Sequence, residues 1–427
     1  MLSFPIGQVF SIIVASMVSI LSYAPTMIAF WVVLFVVYSQ YRRVCTLEEQ
    51  TLRRSRGSAL VRTMFALGQG IVGGLVGSFV FILLGASIDQ MGLEFIWMIA
   101  LALALFDMRL ICFAYAGGIV ALSSLAFGWP KVDIPAVMSL VGVLHLVEAG
   151  LIWSTGAQDA IPVFAADRDG RPMGGFMMQK YWPLPMAIGY LLYLPFANLP
   201  VDMLKMPDWW PLIRSSVLPP LGAEAVYLVL AITAVAGYGD VTYTRTPERK
   251  TTETAATSAA FSLALLGLAI LSGKYPALQW AAALFSPIGH ELIIYLARRT
   301  EMEGSPIFQS GPSGLMILDV MPGSPAQAAG VRSGDVIEAV NCQPVAAIGE
   351  FIEAISVVPH TVILDLRSPS PGGPPAQKTV QIRRASAGIG VVLVPREGSF
   401  QALQFEKTGL IALLIRFIRV RGRTRRL

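Results

Sequence analysis

Val320-Met321-Pro322-Gly323-Ser324-Pro325-Ala326, then Ala329-Gly330-Val331 and Gly334-Asp335-Val336-Ile337, is the stretch on which the fold of this chain turns. Ser324 suits a helix N-cap, because its hydroxyl can accept from a backbone N–H of the first turn. Pro325 fits the first helical position, where a missing N–H costs nothing. Gly330 fits the left-handed stop after a helix. Upstream, Gly314-Leu315-Met316-Ile317-Leu318-Asp319-Val320 reads as a strand. Downstream, Gly334-Asp335 makes a turn into a second strand ending at Asn341. Strand, short capped helix, turn and strand at this spacing describe a small folded module.

The module extends from there. Residues 348–357 form an amphipathic helix with Phe351, Ile352 and Ile355 on one side, and residues 362–366 and 378–383 are strands joined by a Pro/Gly-rich loop. Gly388-Ile389-Gly390-Val391 precedes a last short strand. The module is assigned residues 300–396, and a basic tail follows over 397–427. That tail is apolar and then arginine-rich, a pattern that suits a helix on an anionic membrane surface and equally a solvated end.

Everything before the module is of another kind. The chain has 427 residues, of which 55% are hydrophobic and only 14% charged, where a soluble domain carries about 25%. Its mean hydropathy is +0.63. Ten apolar segments are expected, at 4–21, 25–41, 64–88, 93–106, 110–127, 134–153, 183–197, 217–238, 256–271 and 277–297. Several, notably 93–106 and 183–197, are short for a crossing. Residues 1–299 therefore read as an all-α, multi-span membrane bundle of about eight to ten helices. The basic clusters Arg42/Arg43/Arg53/Arg54/Arg56/Arg62, Arg168/Arg171/Lys180, Arg245/Arg249/Lys250 and Arg298/Arg299 all fall on one side of such a bundle. By the positive-inside rule that side is cytoplasmic, with both termini inside. The net charge of +5 is thus spent on orientation and lipid headgroups, not on nucleic acid. Gly68, Gly70, Gly73, Gly74 and Gly77 have the small-residue spacing that allows close helix packing.

Catalytic chemistry has few footholds. Cys45, Cys112 and Cys342 are odd in number and far apart, indicating neither disulfides nor a zinc site. His290-Glu291-Leu292-Ile293-Ile294 begins like a zincin motif but lacks its second histidine, and the other histidines are His145 and His360. His290/Glu291 and His145/Glu148 read as polar pairs within the membrane. No cofactor or metal is expected. Gly237-Tyr238-Gly239-Asp240 matches the short motif of intramembrane aspartyl proteases, whose chemistry needs a second carboxylate. Asp107 is the candidate partner for Asp240, although Arg109 stands close by as a salt-bridge partner for it.

The "V-x-PGSPA-x-x-AGV-x-x-GDVI-x-x-VN" pattern closely resembles bacterial PDZ domains, with Cys342 standing where that family usually has glycine. The resemblance implies a small α/β domain, a partly open β-barrel with two helices, that binds peptides. If the domain is permuted, as bacterial ones often are, Gly388, Ile389, Gly390 and Val391 form the loop that offers N–H groups to a peptide carboxylate. The helix carrying Phe351, Ile352 and Ile355 then closes the groove. An ordinary glycine bulge accounts for the same residues, and Pro306-Ile307-Phe308 is a competing groove strand. Many weakly polar spans, a basic inner face and a C-terminal PDZ domain together resemble the MinJ family, the polytopic PDZ proteins of Firmicute cell division. The stretches from Arg109 to Gly118 and from Ser286 to Arg299 carry part of that likeness. It implies a non-enzymatic scaffold in the cell membrane, linking DivIVA-like and MinD-like division proteins at the septum. The alternative is an aspartyl protease that uses its PDZ domain to select substrates.

Overall fold

A computed structural model describes residues 4–52, 56–167, 169–195, 203–213, 221–311, 313–357, 360–369, 374–383 and 388–396. The tail at 397–427 lies outside them. The chain begins with six helices, α1 (Ile6–Ser19), α2 (Ala24–Leu52), α3 (Ala59–Leu84), α4 (Leu93–Phe106), α5 (Phe113–Phe127) and α6 (Ile134–Thr155). A three-stranded antiparallel sheet follows, made of β1 (Ile161–Ala166), β2 (Pro172–Pro195) and β3 (Ala223–Thr242). Helices α7 (Pro247–Ser272) and α8 (Ala277–Glu303) close this part. Among the described residues five helices, α2, α3, α6, α7 and α8, are long and apolar enough to cross a membrane. Local chemistry sets their ends. Ser58 caps α3 by accepting from Val61 N at 3.2 Å, and Thr246 caps α7 ahead of Pro247.

Two of the ten expected helices are strands instead. The described residues of the expected segments 183–197 and 217–238 fall on β2 and β3, paired in register from Phe176↔Thr242 to Pro195↔Ala223. The reason is written in Pro183 and Pro185. Within a helix each would remove a hydrogen bond and clash with the preceding turn. In a strand, two prolines two residues apart put both missing N–H groups on the same edge, where proline is tolerated. The other outward groups on that edge are satisfied by helices. Tyr181 N donates to Tyr41 Oη at 3.3 Å, Ala187 N to Ser78 Oγ at 2.8 Å and Leu191 N to Asp89 Oδ1 at 3.1 Å. Gly189 bridges Ser87. Such bookkeeping is needed wherever backbone lies among apolar groups without water. The glycines of α3 serve this contact: a Cβ on Gly70 would collide with the carbonyl of Pro183, and one on Gly74 with that of Pro185. Trp182, fully buried, donates through Nε1 to Gln69 at 2.9 Å.

The polar ends of these elements gather at one end of the bundle. Arg62 pairs with Glu48 at 2.8 Å, Lys180 with Asp159 at 3.5 Å, and Arg245 and Lys250 both with Glu301 at 3.3 Å. At the other end, Ile213 N donates to the Leu84 carbonyl and Asp133 N to that of Gln90.

The C-terminal module is a six-stranded sheet of β4 (Leu315–Val320), β5 (Val336–Val340), β6 (Gln343–Pro344), β7 (Thr361–Ser368), β8 (Ala376–Arg383) and β9 (Val391–Leu393). Its order is β8-β7-β5-β4-β9, with β6 beside β5, and two helices complete it, α9 (Pro325–Ala328) and α10 (Ile348–Ser356). Ser324 caps α9 by accepting from Gln327 N, and Gly330 is left-handed with φ 78°, both as expected from the sequence. Asn341 and Cys342 have φ of 51° and 65° between paired Val340 and Gln343. This is a two-residue hairpin turn whose positions both favour glycine or asparagine.

Strands β4 and β9 are covered on both faces. Leu315, Ile317, Val391 and Leu393 point into the module's own core. Met316, Leu318, Val392 and Val394 instead pack with Phe176, Met178 and Phe308 in the core of the larger domain. The module is thereby docked on the hairpin. Gly174 N donates to the Phe308 carbonyl at 2.8 Å, and Arg56, from the α2–α3 connection, reaches both the Ala160 carbonyl and Asp319 on β4.

Candidate functional site

Strand β9 is the edge of the module's sheet, so one of its sides has no strand partner among the described residues. Its antiparallel pairing with β4 sets Leu393 opposite Ile317, Val392 opposite Asp319 and Val391 opposite Val320, with an irregularity between Ile317 and Asp319. The loop that leads into it is anchored from behind. The Ile389 carbonyl accepts from Ala326 N at 3.0 Å and the Gly390 carbonyl from Met321 N at 2.9 Å. Gly388 and Gly390 have φ of 87° and 82°, conformations that favour glycine. At Gly390 a Cβ would also run into the side chain of Ser324. The loop's carbonyls are thus tied to the start of α9 while its glycines turn the backbone into β9. That arrangement can present N–H groups to an anion.

Helix α10 is held by Glu350. Its carboxylate accepts from the backbone N–H groups of Ala346 at 2.7 Å and Ala347 at 3.1 Å, which satisfies donors that a helix start leaves free. These bonds hold the Glu350 carboxyl below its ordinary value of 4.5. Arg396, just past β9, is also among its charged neighbours, so the far end of β9 lies towards the start of α10.

The sequence-derived residues divide on this frame. Gly388, Gly390 and Val391 occupy the turn into the edge strand. Ile389 is buried, its side chain in the module's core. Phe351 is only 6% exposed and packs in that core with Ala354, so it is a core residue under the helix and not part of an open surface. Ile352 is 61% exposed and Ile355 half-buried. Ile348, which the sequence reading did not single out, stands four residues before Ile352 on the same face. Its spacing to Ile352 and Ile355 was the signal available. Pro306-Ile307-Phe308, the competing groove strand, is engaged elsewhere. Ile307 N donates to the Tyr243 carbonyl, and the buried Phe308 ring meets Phe176 edge-on at 5.4 Å.

The two aspartates of the protease alternative sit in separate settings. Asp107 accepts from the backbone N of Arg109 at 3.0 Å and pairs with its guanidinium at 2.8 Å. Asp240 is on β3, not on a helix, and pairs with Lys250 at 3.4 Å. The charged neighbours of Asp107 are Arg109 and Arg298, and those of Asp240 are Lys250 and Glu301. A proton-sharing carboxylate dyad requires the two to face each other.

The polar pairs read from the membrane segments also regroup. Glu291 accepts from the Tyr115 hydroxyl at 2.5 Å, while His145 and His290 turn to Cys112.

The PDZ domain family matches residues 316–368, which run from β4 to β7 and include α9 and α10. The chain is also 26% identical over 222 residues to the "Cell division topological determinant MinJ" of Bacillus subtilis (strain 168). That match covers 52% of this chain and 52% of the relative, so it spans about half the length of each. Behind helices of membrane-crossing length and apolarity the chain carries a PDZ domain, and in the half of its sequence that aligns it is similar to MinJ.

Proposed function

We propose that the protein is a membrane-anchored PDZ adaptor that recruits protein partners in cell-division site placement, without a catalytic step of its own. The observation that carries this reading is the edge strand β9, entered through left-handed Gly388 and Gly390, in a sheet that shares its core with helix α10. An extended peptide adds to such an edge by backbone pairing, and its side chains reach the flanking helix. The peptide's terminal carboxylate meets the N–H groups at Gly388-Ile389-Gly390-Val391, and its last apolar side chain packs on Ile352 and Ile355. Partners of this kind are division proteins, in the first place DivIVA-like and MinD-like ones, on the cytoplasmic face of the cell membrane. Support for that sidedness comes from the described basic residues Arg56, Arg62, Lys180, Arg245 and Lys250, which share one end of the bundle with the PDZ domain. Exchanging two expected spans for one returning hairpin changes the crossings by an even number and leaves the sidedness as it was.

The test is binding of peptides with a free apolar C-terminus to the full chain in nanodiscs, beside the same peptides amidated at that end. Free peptides should bind at least about 10-fold more tightly, as expected for loss of a charge-assisted contact. Equal binding of both would sink the groove assignment. In cells, Asp107→Ala with Asp240→Ala should leave division-site placement intact, whereas deletion of the PDZ domain should displace division septa. The reverse pattern would favour a protease.

A further inference from the structure

Cys112, His145 and His290 come from three elements. Cys112 is the residue before α5, His145 lies midway along α6 and His290 midway along α8. Their donor atoms nevertheless all lie within 4.8 Å of one another. Sγ of Cys112 is 3.1 Å from Nε2 of His145 and 3.6 Å from Nε2 of His290. We propose that this cluster is a binding site for a thiolate- and imidazole-preferring divalent metal ion, zinc above all, clamping α5, α6 and α8 together.

The donor set is the first reason. One thiolate and two imidazoles suit zinc and exclude the oxygen-seeking magnesium and calcium. Size is the second. With Zn–S near 2.3 Å and Zn–N near 2.0–2.1 Å, a tetrahedral ion spaces sulfur and nitrogen about 3.6 Å apart. The observed separations of 3.1 and 3.6 Å need little adjustment to meet that.

Orientation is the third reason. Nδ1 of His145 lies 2.8 Å from the Val141 carbonyl. That bond assigns the ring proton to Nδ1 and leaves the lone pair of Nε2 facing the sulfur, the outer-shell arrangement typical of metal-binding histidines. Phe261 meets both imidazoles, with ring centroids at 5.5 and 5.9 Å, and Tyr115 meets His290 at 5.1 Å.

Hydrogen-bond counting is the fourth. A thiol can donate to the Nε2 of one imidazole and accept only weakly from the other, and the Nε2 of His290 stands at 3.6 Å from the sulfur. Nδ1 of His290 is itself buried and has no hydrogen-bond partner among the described residues. A purely structural histidine would be expected to use at least one ring nitrogen well. A cation at the centre gives both Nε2 atoms a partner. On binding, the metal–sulfur bond replaces the S–H bond and the thiol proton leaves to solvent. Three protein ligands leave a fourth position for water or an exchangeable donor.

Metal stoichiometry and cobalt spectroscopy on the purified full chain in detergent test this. After chelator treatment and desalting, added Zn²⁺ should be retained at one ion per chain and should raise the thermal unfolding midpoint. Co²⁺ in its place should give the near-ultraviolet charge-transfer band of a cobalt–thiolate bond. Cys112→Ser should abolish that band, and His145→Ala or His290→Ala should weaken binding by at least about 100-fold, no less than the loss of an outer-shell partner costs. Cys342→Ser and His360→Ala, both in the PDZ domain, should change nothing. The proposal is overturned if the wild-type chain, folded by its cooperative melt, retains no Zn²⁺ and is not stabilised by it. It is equally overturned if Co²⁺ binds without a thiolate band, or if the Cys112→Ser/His145→Ala/His290→Ala variant holds metal as well as the wild type.

Discussion

At the scale of single residues, the PDZ domain contains both a cost and a hinge for its stability. Cys342 pays the strain of a left-handed position where the resembling family places glycine. Cys342→Gly should therefore stabilise the domain by about 0.5–1 kcal/mol, seen as a higher midpoint for its unfolding transition in calorimetry. An unchanged or lower midpoint would mean that the turn is not strained. Glu350 works in the other direction. Because two backbone N–H groups hold its carboxyl below 4.5, its contribution is present above that value and is lost as pH falls through the lower folded value. Exchange of the first-turn amides of α10 should accelerate in acid, after correction for intrinsic rates, and Glu350→Gln should show that acceleration already at neutral pH. Gly390→Ala combines left-handed strain with a clash against Ser324. It should lower peptide affinity on the full chain by 10-fold or more while the bundle melts as before.

At the scale of elements, the hairpin on α3 decides the most. Ser78 Oγ is the partner of Ala187 N on a strand edge with no sheet neighbour among the described residues. Ser78→Ala strands a buried N–H and should destabilise the membrane part by about 1–3 kcal/mol, measured as a lower midpoint in detergent. Gly74→Val, which drives a side chain into the Pro185 carbonyl, should prevent assembly altogether, read as loss of the monodisperse folded species in size-exclusion chromatography. The same elements show what a sequence displays and what it conceals. The PDZ strands and α9 were legible because capping, turn and strand signals are local: Ser324, Pro325, Gly330 and Gly334-Asp335 each do what their chemistry requires next to themselves. β2 and β3 were misread because a strand and a helix that lie among apolar groups are both continuous apolar runs. Pro183 and Pro185 marked the difference, and their meaning depends on an edge that only the fold supplies. The glycine spacing of α3 was seen, but its partner is a strand rather than another helix. The loop at Gly388 and Gly390 was legible by its motif. The convergence of Cys112, His145 and His290 was not, since no local rule links residues so far apart along the chain.

At the scale of the whole molecule, the contacts that hold the PDZ domain to the membrane part include an apolar face and a charged strut. Leu315-Met316-Ile317-Leu318 is an unbroken apolar run because alternate residues serve two cores, its own and that of the hairpin. The strut is Arg56, paired with Asp319. Burial raises the Asp319 carboxyl above its ordinary 3.8, and Arg56 opposes that rise. A carboxyl raised in the docked state favours docking below its ordinary value and loses that contribution as pH climbs through the raised one. Removing the cation widens the window. Arg56→Ala should therefore weaken docking at neutral pH, by about 1–3 kcal/mol for the uncompensated carboxylate, and acid should restore it as Asp319 takes up a proton. The Gly174 amide, which donates to Phe308 across the joint, is the reporter. Its hydrogen exchange, corrected for intrinsic rate, should be faster in Arg56→Ala than in the wild type at pH 7, and the difference should shrink towards pH 4. Adding Asp319→Asn to Arg56→Ala should remove that pH dependence while keeping the joint closed, because an amide carries no charge to bury. A joint that opens equally in the single and double variants, at every pH, would show that the apolar face alone holds the two parts together. In that case the PDZ domain would present its edge strand to partners with no electrostatic tie to the bundle.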